Sequence, residues 1–180
     1  LMQAYAETPG LRDAANLLVV AGNRDDIGSL SSGARRVMTR LLLQIDRYDL
    51  YGHVAIPKHH RSDEVPDLYR WTARSGGVFI NPALTEPFGL TLIEAAASGL
   101  PIVATNDGGP RDILGACRNG LLIDPLSPED MGAALQRLLS DREEWETCSR
   151  NGIENSRREF SWSRHAERYM DQVHLILKGE

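Results

Sequence analysis

The chain has 180 residues, of which 42% are hydrophobic and 25% are charged. This mixture is typical of a globular protein and excludes a disordered chain, a collagen-like repeat and a disulfide scaffold. Twenty basic and 25 acidic residues give a net charge of −5, which argues against a nucleic-acid partner because nucleic-acid-binding proteins carry a basic surface.

The first half of the chain alternates short hydrophobic runs with longer amphipathic stretches. The run over 16–22 is apolar and ends in glycine, which predicts a buried strand. Hydrophobic residues at helical spacing predict a helix over about 33–47. A second strand is predicted over 52–57, followed by a helix over about 64–75.

The same alternation continues in the second half. Strands are predicted over 77–80, 101–105 and 120–124, and a helix from about residue 89 to Ser98 is stopped by Gly99.

The last part of the chain is predicted to be helical. Ser127 as an N-cap and Pro128 at the first helical position begin one helix, and two more are predicted over about 142–158 and 162–177. Alternating strands and helices predict an α/β fold with one Rossmann-like, doubly wound parallel sheet, covered on both faces. We expect a single domain over residues 1–180.

Cysteine usage and hydropathy limit the location of the protein. Cys117 and Cys148 form no CxxC pair and no metal-ligand spacing, and thiols of this kind fit a reducing cytoplasm. No apolar run approaches the roughly 20 residues of a membrane span, and residues 1–5 do not resemble a signal peptide. We therefore expect a cytoplasmic protein without a membrane partner.

Charged side chains follow the first two predicted strands. Arg24 follows the first strand and is itself followed by Asp25 and Asp26, which can hold the arginine or contribute to a metal site. Lys58 follows the second strand. Ligands of doubly wound sheets bind beyond the carboxyl ends of the strands, where an arginine can bind phosphate. On these residues alone an exposed polar loop is the favoured interpretation, and the binding interpretation stays open.

The segment after the third strand is the richest in candidate binding groups. Gly89 lies where a helix should begin, so the N–H groups near Gly89, Leu90 and Thr91 would be unpaired and form an anion site. Glu94 could accept hydrogen bonds from the paired hydroxyls of a sugar, and Glu86 precedes the helix. Both carboxylates also fit ordinary solvated positions. The turn over 108–110, after the fourth strand, is either structural or ligand-facing.

The segment Glu86-Pro-Phe-Gly-Leu-Thr-Leu-Ile-Glu94 resembles the E-x7-E signature of the retaining glycosyltransferases of family 4, which have the GT-B fold. Three further segments, 22–27, 48–60 and 77–83, extend the resemblance to sucrose-phosphate synthases. It covers about residues 1–170.

This resemblance implies the transfer of glucose from UDP-glucose to fructose 6-phosphate with retention, without an essential metal or other cofactor. The chain would be the carboxyl-terminal, nucleotide-sugar-binding half of a GT-B enzyme. The amino-terminal domain, which holds most of the sugar-phosphate acceptor site, and the first strand would lie outside it. By itself the chain is then expected to bind nucleotide weakly, to be inactive, and to self-associate through an unpaired strand edge.

The resemblance also assigns roles at the start of the helix. Glu94 would bind the ribose hydroxyls. Glu86, together with the amides of Phe88, Gly89 and Leu90, would contact the donor sugar, and the Leu90 amide would also face the diphosphate.

Further roles concern the diphosphate and the base. Thr91 would face the diphosphate, Arg24 would neutralise it, and Ile56 would meet the base through its backbone. Many relatives carry a lysine where this chain has Ser29, and Lys58 is the candidate substitute.

Two alternatives remain at this stage. One is a related enzyme that uses another nucleotide sugar, such as GDP-mannose or ADP-glucose. The other is a non-catalytic nucleotide-binding or interaction module.

Overall fold

The computed structural model describes residues 1–178 and has an α/β architecture in which strands alternate with helices. The strands of this part of the chain are β1 (Leu17–Leu18), β2 (Val54–Ala55), β3 (Phe79–Asn81), β4 (Ile102–Thr105) and β5 (Gly120–Ile123). Its helices are α1 (Met2–Glu7), α2 (Leu11–Ala14), α3 (Ser32–Arg47), α4 (Val65–Arg74), α5 (Leu90–Ala97), α6 (Gly109–Cys117), α7 (Pro128–Ser140), α8 (Arg142–Phe160) and α9 (Trp162–Lys178). The α/β fold predicted from the sequence is confirmed.

The strands form two parallel sheets rather than the single sheet that was predicted. β1 pairs with β2, and β4 lies between β3 and β5 in a second sheet. A doubly wound sheet commonly has the order 3-2-1-4-5-6. Strands β1–β5 correspond to the strands numbered 2 to 6 in that order. The gap between the two sheets therefore falls where the strand numbered 1 would lie. That the first strand lies outside these residues stays a prediction.

The first strand is shorter and less buried than predicted. Of the run 16–22, Leu17 and Leu18 form the strand, and both are half-buried. The Val19 N–H adds a hydrogen bond to the Ala55 carbonyl, and the side chain of Val20 is 42% exposed. β1 is paired along one edge only, and the residues after it turn into the loop that carries Arg24. β4 is paired on both edges, and all four of its residues are buried.

Helices cover both faces of β4. Side chains of a strand alternate between its faces. Val103 therefore packs with Ile123 and the apolar side of α7, whereas Ile102 and Ala104 pack against α5 and α6. α1 and α2 pack on the same side of the sheet as α7. The hydrophobic core on both faces of β4 holds the carboxyl ends of β3 and β4 in place.

Two predicted helix boundaries are confirmed. The Ser127 hydroxyl accepts a hydrogen bond from the Asp130 N–H at 3.1 Å and caps α7. Gly99 follows the end of α5 with φ +85°, a conformation that glycine adopts without strain. Among residues 1–178, no helix combines the length and hydropathy needed to cross a membrane.

Candidate functional site

The loop between β3 and α5 is fixed by the turn that begins α6. The Gly109 N–H donates to the carbonyl of Glu86 at 2.9 Å, and Gly108 forms a bridge with Glu86. A Cβ on Gly108 would strike the Glu86 carbonyl, and a Cβ on Gly109 would strike the Phe88 carbonyl. The two glycines therefore have a packing role: they let the two loops approach each other closely.

The Glu86 side chain caps α5. Its Oε1 accepts hydrogen bonds from the N–H groups of Gly89 at 3.0 Å and Phe88 at 3.4 Å, and its Oε2 accepts one from Asn81 Nδ2 at 3.1 Å. We expected the Phe88 and Gly89 amides to face a ligand, but here they donate within the chain. The cause is the short loop, which brings a carboxylate to the positive end of the helix dipole.

The two amides that follow remain directed out of the helix. The N–H groups of Leu92 and Ile93 both donate to the Gly89 carbonyl, at 3.0 and 3.3 Å. Leu90 and Thr91 are the first residues of α5 and are exposed, and their N–H groups find no acceptor in the described part of the chain. Of the amides predicted to form an anion site, only those of Leu90 and Thr91 therefore remain available within the described residues.

Glu94 lies on the second turn of α5 and is exposed. Burial raises the pKa of Tyr69 on α4 to about 12, and the negative charge of Glu94 adds to this shift. The Tyr69 ring packs edge-to-face on Phe79 of β3, with centroids 5.6 Å apart. Tyr69 lies within the predicted helix over 64–75 but was not a predicted site residue, because only tertiary packing brings it near Glu94.

Arg24 is held by backbone carbonyls. Its Nη1 donates to the Pro57 carbonyl at 2.9 Å and its Nη2 to the Ile56 carbonyl at 3.0 Å. Of the roles open to Asp25 and Asp26, holding Arg24 is wrong, since both are exposed and neither forms an ion pair with it in the described structure. The Ile56 carbonyl, expected to meet a base, already accepts one bond from Arg24.

Lys58 lies close to the Arg24 loop. Its Nζ donates to the carbonyl of Asp25 at 3.0 Å, and its own carbonyl accepts the Arg24 N–H at 2.9 Å. The loops after β1 and β2 therefore bring two cationic side chains together. Ser29, where many relatives carry lysine, instead donates its hydroxyl to the Asp26 carbonyl at 2.9 Å.

The predicted residues thus form two groups. Arg24, Ile56 and Lys58 belong to one, and the segment 86–94 forms the other. Over residues 1–178, no hydrogen bond or ion pair joins the groups, and no cluster of three or more His, Cys, Asp and Glu side chains is placed to bind a metal ion. Asn81, which touches Glu86, follows the predicted strand 77–80 and was not among the predicted site residues.

Residues 1–155 match the family model for "Glycosyl transferases group 1". The chain belongs to this family. It is 53% identical to a sucrose-phosphate synthase of Zea mays and 52% identical to sucrose-phosphate synthase 4 of Arabidopsis thaliana, each over 173 residues and 96% of the chain. The chain spans 16% of the length of each of these relatives.

Three solved structures share the fold of this chain. Sucrose-phosphate synthase from Thermosynechococcus elongatus superposes with a TM-score of 0.74 at 24% identity, over 99% of this chain and 43% of that one. Anabaena HepE in complex with UDP gives 0.80 at 20% identity, over 97% and 44%. The C-terminal domain of the LpcC protein from Francisella tularensis gives 0.73 at 20% identity, over 89% and 77%. The fold is therefore that of the carboxyl-terminal half of a GT-B glycosyltransferase.

Proposed function

We propose that this chain binds the donor of a retaining glycosyltransferase that transfers glucose from UDP-glucose to fructose 6-phosphate. The observation that carries the proposal is the start of α5, where the Leu90 and Thr91 N–H groups point out of the helix beside the held carboxylate of Glu86. Similarity to sucrose-phosphate synthases supports the choice of donor and acceptor. Anabaena HepE, of the same fold, was solved with UDP-glucose.

The diphosphate of the donor would bind at the N-terminus of α5. Free amides and the positive end of the helix dipole favour an anion there. Arg24 and Lys58 supply two cations on neighbouring loops. When the glycosidic bond breaks, negative charge develops on the leaving diphosphate, and donors already in place stabilise that charge.

The two glutamates would bind the neutral parts of the donor. Glu86 would accept hydrogen bonds from hydroxyls of the hexose, and Glu94 from the paired hydroxyls of the ribose. The amides of Phe88 and Gly89, which already hold Glu86, offset the repulsion between this carboxylate and the nearby phosphates.

The rest of the reaction depends on the longer enzyme. The sugar-phosphate acceptor would bind mainly to an amino-terminal domain, and transfer requires both domains to exclude water from the donor. We therefore propose that the 180-residue chain binds nucleotide weakly and does not turn over. No step is assigned to a metal or cofactor. Cys117 and Cys148 are both free, which fits the cytoplasmic location that we propose.

Calorimetric titration with UDP, GDP and ADP tests the donor assignment. We expect selective binding of UDP, and a loss of about tenfold or more in affinity for Glu94→Ala, because two hydrogen bonds to a charged acceptor disappear. Glu154→Ala is the matched control, since Glu154 is also an exposed helical glutamate and lies on α8.

Each outcome of the titration has a distinct meaning. A preference for GDP or ADP would keep the fold and overturn the sucrose-phosphate assignment. Nucleotide binding that Glu94→Ala leaves unchanged would remove Glu94 from the site. Formation of sucrose 6-phosphate by the isolated chain would contradict the proposed need for the second domain.

A further inference from the structure

We infer that Asn81 is a positioning residue for the donor sugar: its side-chain amide fixes the orientation in which the Glu86 carboxylate meets the hexose. This inference rests on the proposed function and adds to it a residue that the E-x7-E signature does not contain. It is carried by the hydrogen bonds at the end of β3.

The backbone of Asn81 is held firmly. Asn81 is the last residue of β3 and is paired in register with Ala104 of the buried strand β4. Because the backbone is paired, the half-buried side chain extends from a fixed position at the carboxyl end of the sheet.

The orientation of the Asn81 amide follows from its neighbours. Its Oδ1 accepts the N–H of Ala83 at 3.1 Å, and its Nδ2 donates to Glu86 Oε2 at 3.1 Å. A backbone N–H can only donate, and an ionised carboxylate can only accept. A flipped amide would face each of them with the wrong group and lose both hydrogen bonds.

Asn81 completes a three-point hold on Glu86. Oε1 is held by the N–H groups of Phe88 and Gly89, and Oε2 is held by Asn81 alone among the described residues. Without Asn81 the carboxylate can rotate about its terminal torsion, because that torsion is broad in glutamate. Its remaining acceptor sites would then no longer be fixed for a sugar hydroxyl, and preorganisation would be lost.

This role separates binding of the sugar from binding of the nucleotide. UDP would contact the α5 amides, Arg24, Lys58 and Glu94, whereas only the hexose would contact Glu86. A change at Asn81 should therefore weaken UDP-glucose and leave UDP unaffected.

The experiment compares UDP and UDP-glucose by calorimetry in the chain and in three variants. We expect Asn81→Ala to keep the affinity for UDP within about twofold while the ratio of UDP-glucose to UDP affinity falls about fivefold to tenfold. Asn81→Asp should lower the ratio further, because it places a second carboxylate against Glu86. Asn151→Ala is the matched control: it removes an asparagine hydrogen bond of 3.0 Å, to the Arg118 carbonyl, and should change neither affinity.

A second readout needs no ligand. Amide exchange measured by NMR should be faster at Gly89 in Asn81→Ala than in the unchanged chain, because the carboxylate that caps this N–H is less ordered. The inference is overturned if Gly89 exchange is unchanged, if the affinity ratio is unchanged in both variants, or if UDP and UDP-glucose weaken equally. If the unchanged chain binds no nucleotide, the proposed function is contradicted instead. The Gly89 exchange rate would still decide whether Asn81 holds Glu86.

Discussion

Arg24 shows how neighbouring carbonyls order a single cationic side chain. A guanidinium has five N–H donors, and two of the Arg24 donors are used on the Ile56 and Pro57 carbonyls. The side chain is thus ordered before any ligand arrives, which lowers the conformational entropy lost on binding. A carboxylate partner would cancel the charge of the guanidinium. The neutral carbonyls hold Arg24 and leave its charge in place.

Tyr69 gives a pH-dependent prediction at the same scale. Burial, followed by the charge of Glu94, raises its pKa to about 12, whereas an unfolded tyrosine titrates near about 10. The folded state therefore favours the protonated phenol, and this stabilisation is present below about pH 10 and is lost as the pH rises towards about 12. Urea unfolding across this range should show a smaller decline in the free energy of unfolding for Tyr69→Phe.

Other groups contribute to alkaline unfolding in both the unchanged chain and the Tyr69→Phe variant. Burial raises the pKa of Cys117 to about 11, with a smaller contribution from the charge of Glu159. That part of the decline should be common to the chain and to Tyr69→Phe. Identical pH dependence in the two would contradict the assignment of the shift to Tyr69.

At the scale of elements, the approach of two loops depends on Gly108. Gly108 has φ +70°, and a Cβ there would strike the Glu86 carbonyl. We expect Gly108→Ala to lower the free energy of unfolding by about 2 kcal/mol or more, from the left-handed conformation and the overlap together.

Gly115→Ala is the control for this prediction. Gly115 lies inside α6, and a Cβ there would meet no described heavy atom within 4 Å apart from its chain neighbours and the backbone of its own helix. That variant should stabilise the chain by about 0.5–1 kcal/mol, since alanine has the higher helix propensity. Urea denaturation measures both, and equal stability of the two variants would refute the close-packing role of Gly108.

On the scale of the whole molecule, the two sheets leave strand edges unpaired among residues 1–178. The Leu17 N–H donates to the His53 carbonyl just before β2, and the Val19 N–H donates to the Ala55 carbonyl in β2. The Phe79 N–H donates to the Pro101 carbonyl just before β4. Backbone groups alternate in direction along a strand, so Leu18 and Ile80 point away from these partners. Such edges are templates for pairing with another chain.

We therefore expect the isolated chain to self-associate, as measured by light scattering over a concentration series. Val20→Lys places a charge beside β1 at an exposed position and should reduce association. Asn16 is exposed and precedes the strand. Asn16→Lys is therefore the control that adds the same charge outside β1. A monodisperse monomer at all concentrations would contradict the prediction.

Much of the fold was predictable because its signals are local. The Ser127 cap and the Gly99 stop depend on hydrogen bonds and backbone angles within one turn, and both appear where predicted. Alternating apolar runs and amphipathic stretches likewise predict β3, β4 and β5, with α5 between β3 and β4. The E-x7-E segment located the candidate site for the same reason, since a glycine before a helix leaves its first amides unpaired.

The sequence by itself therefore determined the α/β class, the order of the strands and the segment 86–94 as a candidate site. Only the tertiary structure decided that Glu86 takes up the Phe88 and Gly89 amides, that Asn81 holds this carboxylate, and that carbonyls anchor Arg24. It also decided that the strands divide into two sheets. These features depend on distances between loops and strands that only packing sets, whereas helix caps and strand runs depend on residues within a few positions of each other.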